Sequence, residues 1–357
     1  MSEFELDLDL KYRPDNLGDI SGQESVTKVI KQYLKENVLP KSILLYGPPG
    51  TGKTTLGRII GKVLNEHPCG TIEKDSASDG KIDNIRALKL EIVHHPIEGD
   101  CKTYIFDEAH RISAAGFDSL LKTIEEPPPG VRFIFITTEK EKIPSTVQSR
   151  CELHRFNRIP NSIIDIRLKE ILKLEKKKLP QALIDLAVES GEGSMRGAIV
   201  ALQKILTLHA NDETELDITK TLGVVSSKNL SSLMYAYLFQ DFFEMRKQSK
   251  VFSPEIVDPV QGIHRLQQFT ADLRLGFAAK DLVPELKSNI DDLLGKIWAK
   301  FPECNMSDKA FQAFIGNRVH KLWEKSLDIE LKLKKTSNKS AVVDMIPVEL
   351  ARLWKDA

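Results

Sequence analysis

The spacing of apolar and polar positions divides the chain into two stretches of different character. In the first, short apolar runs alternate with amphipathic segments. After a polar opening marked by glycine and proline, Val26, Val29, Ile30, Tyr33 and Leu34 fall at helical spacing. Ser42–Tyr46 is an apolar run bounded by Pro40 and Gly47, the pattern of a buried strand. Residues 53–65 return to helical periodicity, and Gly57 and Gly61 leave one face bare enough to pack closely on a sheet. Runs at 102–106 and 131–138 predict two more strands, and helical patterns occupy 82–92 and 114–126. Strand alternating with helix predicts an α/β domain on a mostly parallel sheet with helices on both faces.

After Phe156 the period changes, and no strand is predicted beyond Asn161. Helical patterns at 161–176, 180–190 and 194–208, broken at Gly191, Glu192 and Gly193, predict a small helical domain. Helical periodicity then runs over 224–335, with breaks near Ser253 and Pro254, Pro259 and Pro302, as in a separate all-helical domain. Residues 336–340 read as a linker. The tail to Trp354 is amphipathic through Ile346, Leu350 and Leu353, and either caps its own domain or docks on a partner. The expected limits are 1–160, 161–223, 224–335 and 336–357.

Charge narrows the functional classes. Over 357 residues, 51 Lys+Arg balance 51 Asp+Glu, so bulk charge does not draw this chain to nucleic acid or to an acidic membrane. That excludes tight, autonomous DNA binding by one chain; a ring can still line its interior with a few basic groups per subunit. No apolar run approaches the ~18 residues of a membrane span. The N-terminal residues lack the basic and apolar regions of a signal peptide, so a cytoplasmic location is expected. Cys69, Cys101, Cys151 and Cys304 form no C-x-x-C pair and read as reduced thiols. His67 and His110 lack partners at ligand spacing and read as solvated or structural.

Two motifs carry chemistry. Gly47, Pro48, Pro49, Gly50, Thr51, Gly52, Lys53 and Thr54 fit G-x-x-x-x-G-K-[ST] in full, between a predicted strand and a predicted helix that continues through Thr55. Such a loop wraps backbone N–H groups around a phosphate at a helix N-terminus. Its lysine reaches the β- and γ-phosphates and its Thr hydroxyl ligates Mg²⁺. The strand at 102–106 then ends in Asp107 and Glu108. Asp107 suits a Mg²⁺ ligand held through water, and Glu108 a general base that polarises water, which favours hydrolysis over phosphoryl transfer to a small molecule.

Taken together, these residues resemble the AAA+ clamp-loader ATPases, above all the bacterial DNA polymerase III gamma/tau type. The strings KYRPDNLGDISGQE, AAGFDSLLKTIEEPPPGVRFIFITTE, KIPSTVQSRCELHRF and GEGSMRGAIVALQ carry the resemblance over residues 11–205. It implies a RecA-like AAA+ domain, a helical lid and an all-helical collar. It implies ATP and Mg²⁺, with Tyr12, Arg13 and Pro14 at the base and ribose. Arg150, in Ser149-Arg150-Cys151, would be an arginine finger acting on a neighbour's site, with Lys122 facing the same neighbour. Thr138 aligns with sensor 1, ahead of Thr137, and Arg196 with sensor 2. Implied partners are further loader subunits in a pentameric ring, a sliding clamp and primer–template DNA. Lys81, Arg86, Lys89 and Arg111 are candidate DNA contacts. The helix and loop around 82–98 are a candidate clamp contact, although core packing accounts for most of their apolar residues.

One departure stands out. The four-cysteine zinc module of the bacterial type is missing, since only Cys69 remains in its place, so no zinc is expected. That points to a divergent or phage-encoded member. Three alternatives compete. A non-catalytic stator subunit is opposed by the intact Lys53, Asp107, Glu108 and Arg196. A branch-migration helicase is opposed by the absence of a winged-helix pattern. A nucleotide kinase is opposed by the trans-acting arginine. No carboxylate set supports polymerase activity.

Overall fold

The computed structural model describes residues 7–65, 70–76, 82–93, 101–211, 213–223, 225, 227–252, 258–278, 293 and 309–353. They form two compact units, Met1–Leu179 with Gly191–Gln203, and Pro180–Ser190 with Lys204–Ala357.

The first unit is built on a five-stranded parallel sheet. Its strands are β1 (Ser42–Tyr46), β2 (Thr71–Asp75), β3 (Lys102–Asp107), β4 (Val131–Thr137) and β5 (Glu152–Arg155), in the order β2-β3-β4-β1-β5. Its helices include α1 (Leu8–Lys11), α2 (Glu24–Glu36), α3 (Lys53–Leu64), α4 (Ile82–Val93), α5 (Ala114–Glu125), α6 (Ser145–Gln148) and α7 (Asn161–Leu174).

Strand alternation assigns each apolar side chain to a face. Leu44, Tyr104, Phe106, Phe133 and Phe135 join one core with Ile85, Leu88 and Ile92 of α4 and Phe117, Leu120 and Ile124 of α5. Phe106 and Phe135 stack there with centroids 5.1 Å apart. Ile43, Leu45, Ile105, Ile134 and Ile136 point the other way, onto Val26 and Ile30 of α2 and Leu56, Ile59 and Ile60 of α3. Gly57 of α3 brings that helix against Ile136, the close packing its sequence predicts.

The structure adds two strands that the sequence pattern does not predict. β2 and β5 are the sheet's edges. Only the central strands are covered on both faces and so read as unbroken apolar runs. β5 buries only His154 of its four residues, and β2 (Thr-Ile-Glu-Lys-Asp) has a single large aliphatic residue.

The second unit is helical throughout its described residues. Helix α8 (Gln181–Gly191) lies in it up to Ser190, and α9 (Met195–Ala210) begins in the first unit and enters the second at Lys204; they are followed by α10 (Glu215–Leu222), α11 (Ser227–Leu238), α12 (Phe242–Gln248), α13 (Pro259–Ala278), α14 (Lys309–Lys335) and α15 (Lys339–Arg352). Pro259 opens α13, so the break expected near it falls just before this helix, as suits a residue with no N–H to leave unpaired. The predicted linker shortens to 336–338, because Asn338 caps α15 by accepting the Ala341 N–H at 3.2 Å. The amphipathic tail caps its own unit, since Val343, Ile346 and Leu350 enter the core that holds Tyr237, Leu266 and Leu322. Trp354, Ser253, Pro254 and Pro302 lie outside the described residues.

Candidate functional site

The P-loop spans the turn from β1 to α3. Gly47 has φ +140°, and a Cβ there would collide with the carbonyl oxygen of Phe156, just past β5. Gly50 has φ +68°, and a Cβ there would strike the Ser194 hydroxyl. Glycine at these two positions lets the backbone curl back on itself and leaves a cradle that side chains would fill.

Lys53 is 6 % exposed. Its ammonium donates to the Gly47 and Pro48 carbonyls at 2.8 and 2.6 Å. Burial pushes its pKa down to about 8, against the pull of Glu108 and Asp107. A desolvated cation inside a loop of backbone N–H groups is a ready receptor for phosphate. The Thr54 hydroxyl donates to Asp107 Oδ2 at 2.9 Å, joining the first turn of α3 to the end of β3. These two oxygens are the hard donors a Mg²⁺ ion would take.

Glu108 follows with φ +50°, an uncommon backbone for a non-glycine residue. Its N–H donates to Asp107 Oδ1 at 2.9 Å. His110, in the short turn Ala109–Arg111, lies within 3.4 Å of Glu108 Oε2. Thr137 closes β4 with its hydroxyl 3.0 Å from His110 Nδ1, while Thr138 is half-buried one residue beyond.

The cleft beside the P-loop is lined by Gly50 through Thr55 together with Tyr12, Arg13 and Pro14. Ile20, Ile159 and Ile199 give it an apolar wall suited to a planar base. Asp9 and Arg167 also line it and were not singled out from the sequence. Tyr12 donates its hydroxyl to Glu175 at 2.5 Å, and Arg167 reaches the Tyr12 carbonyl at 3.4 Å. Burial pushes the Arg13 guanidinium below its ordinary value, with Arg58 beside it acting in the same direction. The Arg196 backbone N–H reaches the Gly50 carbonyl at 3.4 Å. Its guanidinium is turned to Asp9 at 3.0 Å.

Arg150 sits apart from this cleft, on an exposed patch. It pairs with Glu125 at 2.9 Å and with the Thr146 carbonyl at 2.8 Å. Exposed Lys122 lies one turn before Glu125 on α5. The neighbouring Cys151 packs against the aromatic core, and burial pushes its thiol up to about 12, so it anchors the loop that presents Arg150. Arg86 and Arg111 are exposed and Lys89 is half-buried. On α4 only Leu90 among the described large apolar side chains is well exposed, at 71 %. Lys81, His67, Cys69, Cys304 and residues 94–98 lie outside the described residues.

A P-loop after the first strand, an acid pair after the third and an arginine presented to the loop from α9 define an AAA+ nucleotide-binding domain. Solved structures agree on the fold: two variants of RuvB from Thermotoga maritima superpose with TM-scores of 0.51, at 19 % and 20 % identity. They cover 70 % and 62 % of this chain, and 89 % and 79 % of their own. The family model "DNA polymerase III, delta subunit" matches residues 65–160. The DNA polymerase III subunit gamma of Buchnera aphidicola subsp. Schizaphis graminum is 33 % identical over 256 residues, which are 66 % of this chain and 70 % of the relative. The gamma/tau subunit of Mycoplasma genitalium is 35 % identical over 257 residues, and the tau subunit of Bacillus subtilis 32 % over 243. The chain belongs to the DNA polymerase III gamma/tau family. It spans less than half the length of these last two relatives, 43 % of each. No helix among the described residues is long and apolar enough to cross a membrane.

Proposed function

We propose that the chain is an ATP-hydrolysing motor subunit of a sliding-clamp loader, acting with further subunits, a clamp and primer–template DNA in DNA replication. The observation that carries this reading is the Thr54–Asp107 hydrogen bond beside the buried Lys53. It joins both halves of a phosphate and Mg²⁺ site in one place.

In this reading, 1–160 binds ATP, 161–223 is the lid, 224–335 is the collar and 336–357 is the linker and tail. Bound Mg²⁺·ATP supplies the γ-phosphoryl group and neutralises part of its charge. Tyr12, Arg13 and Pro14 hold the base and ribose, with Ile20 and Ile159 excluding water. Lys53 gives up its two carbonyl partners for phosphate oxygens. Glu108 polarises the attacking water, Thr138 registers the nucleotide state at the end of β4, and Arg196 leaves Asp9 to engage the γ-phosphate. Arg150 and Lys122 reach a neighbouring subunit's site, where a trans-acting arginine contributes ~10³–10⁵ in rate. Arg86, Arg111 and Lys89 are the described candidates for DNA, together with Lys81.

Arg150→Ala tests the reading in the assembled complex. Nucleotide affinity should stay within about twofold, because Arg150 touches no part of its own chain's cleft. Stimulated turnover should fall by at least about 10³. Unchanged turnover would refute the trans role. The RuvB likeness reflects fold alone and does not favour branch migration over this reading.

A further inference from the structure

His110 is a nearly buried histidine, its side chain 10 % exposed, with no part in the steps above. Three groups converge on its ring. Nε2 lies 3.2 Å from Glu139 Oε1. Nδ1 lies 3.0 Å from Thr137 Oγ1 and 3.4 Å from Glu108 Oε2. The Thr137 oxygen in turn accepts the Glu139 N–H at 3.0 Å.

Donor and acceptor bookkeeping ties the ring to its neighbours. The Lys142 ammonium holds Glu139 below its ordinary value, with His110 and Arg111 adding to the effect. An ionised carboxylate only accepts, so Nε2 carries a proton and donates it to Glu139. The contacts from the Glu139 N–H to Thr137, from Thr137 to Nδ1 and from Nε2 to Glu139 close a cycle around the ring. Nδ1 is 3.0 Å from the Thr137 oxygen and 3.4 Å from Glu108 Oε2, so its shorter contact is with Thr137. The ring therefore walls the Glu108 carboxylate on one side and fixes where it can point, which a general base needs.

We propose that His110 is the positioning residue of Glu108, locked by Thr137 and Glu139 so that movement at the end of β4 is passed to the carboxylate that polarises the attacking water. This rests on the ATPase reading above. The loop Ala109–Arg111 that carries the ring is otherwise held by backbone bonds from Arg111 to Glu108 and from Ile112 to Ala109, so the ring is its side-chain link to β4 among the bonds described. Removing the Thr137 hydroxyl cuts the ring's tie to β4 and leaves Glu139 as its remaining hold, so the ring no longer fixes Glu108.

The test compares wild type, His110→Ala, Thr137→Val, Glu108→Gln and the His110→Ala/Glu108→Gln double variant. Each is measured in the complex with its clamp and primed DNA for turnover and for affinity toward a fluorescent ATP analogue. Folding of each is checked by thermal melt. His110→Ala should lower kcat by at least about tenfold with affinity within about twofold, and should cost nothing further in the Glu108→Gln background. Thr137→Val is nearly isosteric and keeps the packing. It should also lower kcat, with affinity again within about twofold, and ¹⁵N histidine shifts should report the lost bond at Nδ1. Full kcat in both single variants would overturn the proposal, as would an equal loss on adding His110→Ala to Glu108→Gln. In either case a large Glu108→Gln effect leaves the ATPase reading standing. Equal turnover in wild type and Glu108→Gln would overturn both.

Discussion

The buried ammonium of Lys53 makes nucleotide affinity a function of pH in a range where ATP itself no longer titrates. In the free chain its pKa is lowered to about 8, chiefly by burial. Phosphate oxygens favour the charged form, so bound nucleotide holds Lys53 protonated to much higher pH. The sign follows. Below the free-state value the cation is already present and affinity is flat. Above it, each proton must be put back on binding, and affinity falls tenfold per pH unit. Between pH 7 and pH 9.5 the protonated fraction drops from about nine-tenths to about three-hundredths. The Kd for Mg²⁺·ATP should therefore weaken about 30-fold, or about 2 kcal/mol. Fluorescence titration at constant free Mg²⁺ measures this. Lys53→Met should bind weakly throughout and show no such slope. A wild-type affinity that stays level over the same range would refute the buried-cation argument, and a Lys53→Met variant that binds as tightly as wild type would refute the P-loop assignment itself.

Two further outcomes follow from contacts near the loop. Asp9→Asn removes the partner that holds Arg196 away from phosphate; with Arg196 exposed and Asp9 largely covered, such a pair is worth ~0.5–1 kcal/mol, so affinity should tighten roughly two- to fivefold by titration. Gly47→Ala demands a strained φ and a collision with the Phe156 carbonyl; the first unit should lose about 2 kcal/mol or more and melt several degrees lower by calorimetry.

The parts of the fold legible in the sequence are those where one physical cause dominates. β1, β3 and β4 are covered on both faces, and their apolar runs follow from that. β2 and β5 were hidden because an edge strand is not required to be apolar along its length. The P-loop and acid pair announce themselves because phosphate binding tolerates few residue types at each position. Asp9, Arg167 and His110 do not. Their importance comes from neighbours far away in sequence: Asp9 meets Arg196, Arg167 meets the Tyr12 carbonyl, and His110 meets Thr137 and Glu139. A lone histidine with no ligand-spaced partner carries no sequence signal of that kind. Thr137 and Thr138 are adjacent in sequence, and only the sheet shows which hydroxyl is tied to His110. The tail illustrates the opposite case: its amphipathic pattern was plain, and packing was needed to show that its apolar face is covered by its own unit.

The central claim is that this site hydrolyses ATP in response to a clamp and a primer junction. The most direct measurement is the steady-state ATP turnover of the chain assembled with its partner subunits, with and without cognate clamp and primed DNA. The account predicts slow basal turnover and a rise of at least about tenfold when both are present, a rise abolished by Glu108→Gln. Turnover that responds to neither clamp nor DNA would contradict it.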